Sequence, residues 1–412
     1  MVNEIMKSNN HVQLGFGQGC LDLMLAEGAE VMLAEELAAA PDGEIERSLD
    51  HSQGKSLDDF AGCSSASILA SDITRPAPSH LMLPPLINRL EDLGVRDLKI
   101  IFGLGTHRRM TPDEEHLLLR DCTALPRMQH DPSNCVYLGE TGRGTPVEVL
   151  ETALSSDLII ATGNIEYHYY AGYSGGAKAV LPGISSERSV VKNHELMRDP
   201  NSITGRVDSP VRQDMEDAAG IAGLDFILNV VLNGRKEVVQ SVAGDYISAH
   251  RTGAATVDRM YRRSVEPAEI VVTCAGGKPK DLNLFQAQKA LDNAKNAAVP
   301  GGSIILVAEC SEGLGHPVFE RWAREANSAE DCWERFGREY EFGGHKAAFL
   351  AKESMQHHLI LVSALPKDQA EMCFFQPAKT LEQALELARA RQGKDARLLA
   401  MPHGNLTLAV RK

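Results

Sequence analysis

Leu98-Lys99-Ile100-Ile101-Phe102-Gly103-Leu104-Gly105-Thr106-His107-Arg108 decides the fold. It is a short, near-continuous apolar run that breaks into glycines and then polar residues, the pattern of a strand buried on both faces of a parallel sheet. The same pattern recurs at Ser67-Ile68-Leu69-Ala70, Leu158-Ile159-Ile160-Ala161, Ile270-Val271-Val272-Thr273, Ile304-Ile305-Leu306-Val307 and Leu359-Ile360-Leu361-Val362. Helical segments such as Pro84 to Leu93 and Leu381 to Arg391 fall between the runs. Alternation of this kind predicts an α/β protein with mainly parallel sheets flanked by helices. Asn233-Gly234, between Ile227–Leu232 and Glu237–Val242, predicts one antiparallel hairpin.

The chain has 412 residues, too many for one core, so two domains are expected. Tyr261 to Ala268 is polar and precedes a new strand. It divides the chain into an N-terminal domain, 1–265, expected to carry cofactor and catalysis, and a C-terminal domain, 266–412, expected to clamp substrate. Residues 34–60 are acidic and irregular and are expected to form a surface connection.

Composition sets limits. Hydrophobic residues make up 43% and charged residues 24%, as in ordinary globular proteins, while aromatics are only 5% and glycines number 35. A formal net charge of −14 argues against nucleic acid or an anionic membrane as partner. The eight cysteines contain no Cys-x-x-Cys pair and no zinc-finger spacing to histidine, so reduced, buried thiols are expected. Met1 to Gly15 is polar and offers no signal peptide, and no run approaches the roughly 20 apolar residues that span a bilayer. A cytoplasmic protein is the expectation.

Ligands of open α/β sheets bind beyond the carboxyl ends of the strands, and four such segments are unusual. In Ser71-Asp72-Ile73-Thr74-Arg75-Pro76, Asp72 and Thr74 can meet a ribose or phosphate, and Arg75 can hold an anion in two places. Read alone, the segment is better taken as a capped turn that Pro76 ends. Gly103 and Gly105 let backbone amides approach a ligand and place His107 at a strand's functional end; a lone loop histidine is more often a surface residue. In His168-Tyr169-Tyr170-Ala171-Gly172-Tyr173-Ser174-Gly175-Gly176-Ala177-Lys178, the segment Ser174-Gly175-Gly176 is a plausible anion nest with Lys178 two residues on. The Walker order is missing. His194, in Asn193-His194-Glu195, offers one more imidazole. Finally, Asp281 can cap a helix on which Gln286 and Lys289, three apart, share a face suited to a carboxylate or merely to solvent.

Together, in this order, the pieces resemble the nickel-pincer nucleotide-dependent lactate racemase family. The resemblance runs from Asp72 through Lys289 and more weakly beyond. It implies a 2-hydroxyacid racemase or epimerase with its active site in an interdomain cleft. It also implies a pyridinium-3,5-dithio-type mononucleotide carrying nickel and joined covalently to Lys178. By the same matching, His194 is the metal's protein ligand, and His107 and His168 are the acid/base pair. Arg75, Gln286 and Lys289 clamp the substrate carboxylate. Asp72, Thr74, Ser174, Gly175 and Gly176 stand with the cofactor, whose synthesis needs other enzymes. Such a reaction removes the α-hydrogen as hydride while the hydroxyl proton leaves to a neutral histidine. Three features depart from the pattern. Tyr167 stands where proline is expected, Phe285 where a tyrosine faces substrate in lactate-specific members, and the two tryptophans are Trp322 and Trp333, with none later. They predict a substrate larger than lactate; Arg108, His345 and Lys346 are spare polar groups that a longer or diacid substrate could use. The competing reading is a non-catalytic carrier or sensor of the pincer nucleotide.

Overall fold

The computed structural model describes residues 6–8, 11–25, 28–120, 122 and 124–412. The chain forms two compact units. One comprises Glu36–Met260, the other Met1–Glu35 together with Tyr261–Lys412.

The Glu36–Met260 unit is built on a six-stranded sheet in the order Val238–Gly244, Phe226–Leu232, Leu158–Asn164, Ser65–Ser71, Asp97–Gly103, Arg127–Gln129. All neighbours are parallel except the first pair, which is antiparallel. That pair is the hairpin expected at Asn233-Gly234, where the Asn233 side chain accepts from the amides of Arg235 and Glu237. Leu158–Asn164 is buried at every position, which is why it reads as an unbroken apolar run. Helix Ser79–Asp92 covers the sheet through Met82, Leu83, Leu86 and Leu90, and starts before the expected Pro84 because both prolines fit inside it. Residues 34–60 are not only a surface connection. They contain helix Glu44–Asp50 and the turn Leu57–Phe60, whose Ile45, Leu49 and Leu57 join the core.

The other unit centres on a fully parallel six-stranded sheet, ordered Gln376–Ala378, His358–Val362, Ala298–Val307, Ala268–Cys274, Leu398–Met401, Glu30–Val31. The last strand comes from the N-terminal segment. Val12, Leu14 and Leu23, from the antiparallel strands His11–Phe16 and Gly19–Met24, also pack into the core with Ile270, Ile305 and Ile360. The division at 265/266 is therefore incomplete: the chain also divides near residue 35, because the N-terminal segment buries its apolar face on the C-terminal sheet. Nor is Tyr261 to Ala268 a plain linker, since Arg262–Val265 pairs in parallel with Leu408–Arg411. Among the described residues no helix is long and apolar enough to cross a membrane. All eight cysteines are free thiols.

Candidate active site

Strands Leu158–Asn164, Ser65–Ser71 and Asp97–Gly103 are parallel neighbours, so the loops after them leave one edge of one sheet. Two hydrogen-bonded clusters stand there.

The first is centred on buried Asp72. Its Oδ2 lies 2.6 Å from His107 Nδ1, and its Oδ1 accepts from the Thr74 hydroxyl at 2.6 Å and the Thr74 amide at 3.2 Å. Burial pushes the Asp72 carboxyl up, but the hydrogen bonds from His107 and Thr74 outweigh it and leave the pKa below its ordinary value. A carboxylate facing Nδ1 favours a proton on that nitrogen and leaves Nε2 as the ring's acceptor atom. Asp72 and Thr74, expected to stand with the cofactor, bond to each other and to His107. Gly105 is in the left-handed region, φ 55°, and donates to Gly183 O at 2.9 Å. A Cβ at Gly103 would lie 3.2 Å from the Gly183 backbone. These glycines admit a close approach of the protein's own chain at Gly183.

The second cluster holds His168, Tyr170, Lys178 and His194. The short pair Tyr167–His168 and Gly172–Tyr173 turns His168 back over Lys178, whose Nζ lies 3.4 Å from His168 Nε2. Tyr170, buried, contacts every other member. Its hydroxyl is 2.6 Å from His194 Nε2, its ring packs edge-on to His168 at 4.4 Å, and Lys178 Nζ lies 5.7 Å from its centroid. Burial, with help from Lys178, lowers the His194 pKa to about 3, so its imidazole is neutral at any physiological pH. Burial, then Arg75 and Arg212, holds the Lys178 ammonium well below its ordinary pKa, against an opposing pull from Glu166. Arg75 therefore joins the clusters electrostatically, since its charge acts on Asp72, Tyr170 and Lys178 alike.

The expected anion nest is otherwise employed. Ser174 Oγ donates to Asn164 O and accepts from Glu166 N, both at 2.9 Å, and Gly176 N donates to Asn229 Oδ1 at 2.7 Å. A Cβ on Gly175 would meet Asn229 at 2.7 Å. These residues shape the loop that carries Lys178. Tyr170's central place has no trace in the sequence, because one tyrosine in Tyr167-His168-Tyr169-Tyr170 has no signature of its own.

Gln286 and Lys289 lie in the other unit, exposed on helix Leu284–Ala294. The helix cap is Asn283, which accepts from Gln286 N at 3.1 Å, and not Asp281. Asp281 is buried and accepts from Gly17 N and Glu309 N. Phe285 stacks on His316 at 5.2 Å, with Lys346 Nζ 5.5 Å from its ring centroid and the His345 ring 6.5 Å away. Lys346 is buried, which pulls its pKa to about 8; Asp292 opposes this, and Lys289 and Lys295 add to it. Arg108, the third spare group, is committed to Glu114 by two hydrogen bonds of 2.8 and 2.6 Å.

Two family models match the chain: the lactate racemase N-terminal domain over residues 16–205 and the lactate racemase C-terminal domain over 263–409. The chain belongs to the lactate racemase family. It is accordingly an enzyme of the isomerase class. It is 32% identical over 376 residues to the lactate racemase of Thermoanaerobacterium thermosaccharolyticum, covering 87% of this chain and 88% of that one. Identity to the Lactiplantibacillus plantarum lactate racemase is also 32%, over 87% and 89% of the two chains. The apoprotein structure of the first relative superposes with a TM-score of 0.89 at 30% identity, covering 97% and 99% of the chains. A Thermotoga maritima protein of 20% identity, TM-score 0.66, covering 92% of this chain and 100% of its own, shares the fold.

Proposed function

We propose that this racemase inverts the α-carbon of a 2-hydroxyacid larger than lactate by reversible hydride transfer, using a nickel-pincer nucleotide attached to Lys178. The observation that carries the proposal is the gathering of Lys178, His168 and His194 around Tyr170 beside Arg75.

The side chains suit that group. Burial and neighbouring cations favour the neutral Lys178 amine, the form that enters an amide-type bond. His194 offers a neutral nitrogen donor. Among the described residues no three His, Cys, Asp or Glu side chains converge as a metal cage, which fits a metal taking one protein ligand and the rest from its own cofactor. When bound, the nucleotide supplies reversible hydride acceptance and donation, chemistry that no side chain provides.

The protein moves the protons. Loss of the α-hydrogen as hydride and of the hydroxyl proton turns the substrate into a 2-keto acid. His107 Nε2 takes the proton while Asp72 steadies the imidazolium that forms. His168 serves the opposite face, so return of hydride and proton there yields the other configuration. Arg75, Gln286 and Lys289 are assigned to the carboxylate. Two imidazoles, one of them oriented by a carboxylate, favour catalysis over a carrier role, which has no use for paired proton acceptors. The protein takes its cofactor from dedicated synthesising enzymes, and its free thiols fit the cytoplasm.

The test is co-production with the cofactor-making enzymes, followed by intact mass and nickel analysis. Wild type should carry one adduct and nickel. Lys178→Ala should lack the adduct, and His194→Ala should keep it and lose nickel. His107→Asn and His168→Asn should keep both and lose turnover. An adduct retained in Lys178→Ala, or normal turnover in both histidine variants, would overturn the proposal.

A further inference from the structure

Arg212, in helix Pro210–Ile221, is wholly buried and donates only to backbone. Nε reaches Ala171 O at 3.4 Å, Nη1 reaches Gly175 O at 3.0 Å, and Nη2 reaches Tyr173 O. Among the described residues it forms no ion pair. Glu216, one turn away, is already committed to Arg251 by two hydrogen bonds of 2.7 and 2.8 Å. A buried guanidinium without a carboxylate is costly unless dipoles satisfy it. What an apolar residue cannot supply is a flat fork of donors.

The three acceptors are alternate residues of a run that turns at Gly172 and Gly175, both in the left-handed region. The remaining carbonyls are held too. Tyr170 O accepts from Ser209 Oγ at 2.7 Å, Gly172 O from Gly205 N at 3.0 Å, and Ser174 O pairs with His250 Nε2 at 2.8 Å. Every carbonyl from Tyr170 to Gly175 is thus occupied, three of them by one side chain. His168 stands just before this run and Lys178 just after it. Gly172, at φ 73°, admits no side chain, since a Cβ would collide with the Arg206 backbone.

We infer that Arg212 is a positioning residue: its guanidinium fixes the loop path that brings His168 and Lys178 together. The variants Arg212→Met and Arg212→Lys, produced as full chains with the cofactor-making enzymes, test this through hydrogen exchange, intact mass and circular dichroism. Arg212→Met should keep its secondary structure and cooperative melting. Its amide exchange across residues 168–178 should rise about tenfold, as expected when buried carbonyls lose their donors. Adduct formation on Lys178 should fall by about the same factor. Arg212→Lys, which keeps the charge but not the fork, should recover part of both.

A folded Arg212→Met with wild-type exchange in this segment, or with raised exchange and undiminished adduct, would overturn the inference. Should Arg212→Met fail to fold, Arg212→Lys decides: wild-type exchange and loading there would show that charge alone suffices, which also overturns it. The mass measurement rests on Lys178 as the attachment site, whereas the exchange measurement does not. If wild type itself gains no adduct, the attachment reading fails and the exchange comparison still judges Arg212.

Discussion

At the scale of single residues, the carboxylate of Asp72 governs which nitrogen of His107 can accept a proton. Asp72→Asn keeps the size and one acceptor but removes the negative charge that steadies a protonated ring. Turnover of loaded enzyme should fall about a hundred-fold or more, while thermal stability changes little. Chiral chromatography of one enantiomer with time measures it, and wild-type turnover in Asp72→Asn would remove Asp72 from the reaction. The sequence placed His107 after a strand because strand ends are recognisable. Its reading of Asp72, Thr74 and the Ser174–Gly176 run did not include their bonds to the chain itself, for a shared reason. Glycines and short polar residues leave the same trace whether they fold around a ligand or around their own chain. Only the Asn229 oxygen 2.7 Å from a notional Gly175 Cβ tells the two apart.

At the scale of elements, helix Leu284–Ala294 was legible in its periodicity but not in its start. Asp281 and Asn283 are both good caps on paper, and burial of Asp281 against Gly17 and Glu309 decides for Asn283. Asn283→Ala should cost about 1 kcal/mol, readable as a lower urea midpoint, whereas a neutral effect would mean the helix end is held by packing. The proposed substrate preference is tested on the same helix. Phe285 offers a ring and no hydroxyl beside Gln286, with His316, His345 and Lys346 around it. A panel of lactate, 2-hydroxybutyrate, malate, 2-hydroxyglutarate, phenyllactate and gluconate should show lactate below the best substrate in kcat/KM. Phe285→Tyr should narrow that gap. Lactate as the best substrate would show that this ring does not set the preference, with the racemase assignment intact.

For the whole molecule, pH dependence follows from buried neutral imidazoles. Burial lowers the pKa of His194 to about 3 and of His130 to about 4, and takes His250 well below its ordinary value. In the unfolded chain each returns to about 6.5. Below that pH the unfolded state binds protons that the folded state refuses, so stability is whole above about 6.5 and drains away as the pH falls. Each group should remove about 1.4 kcal/mol per pH unit until its folded pKa is reached. Urea unfolding of the cofactor-free protein at pH 7 and pH 5 measures the loss, and equal midpoints would refute it. The parallel strands were readable because burial on both faces makes them continuous apolar runs. The membership of the first 35 residues was not, because it depends on Val31 meeting Ala400, a pairing no local pattern announces.

That pairing also sets an order of assembly during synthesis. Strands His11–Phe16 and Gly19–Met24 leave the ribosome before Glu36–Met260 does, yet the sheet that covers Val12, Leu14 and Leu23 is finished only when Leu398–Met401 emerges. Throughout that interval the growing chain carries an uncovered apolar face while the whole of Glu36–Met260 is translated and free to fold. The His11–Met24 segment is therefore the one for which a holding chaperone has most use, and the one where a stalled or truncated product should first aggregate.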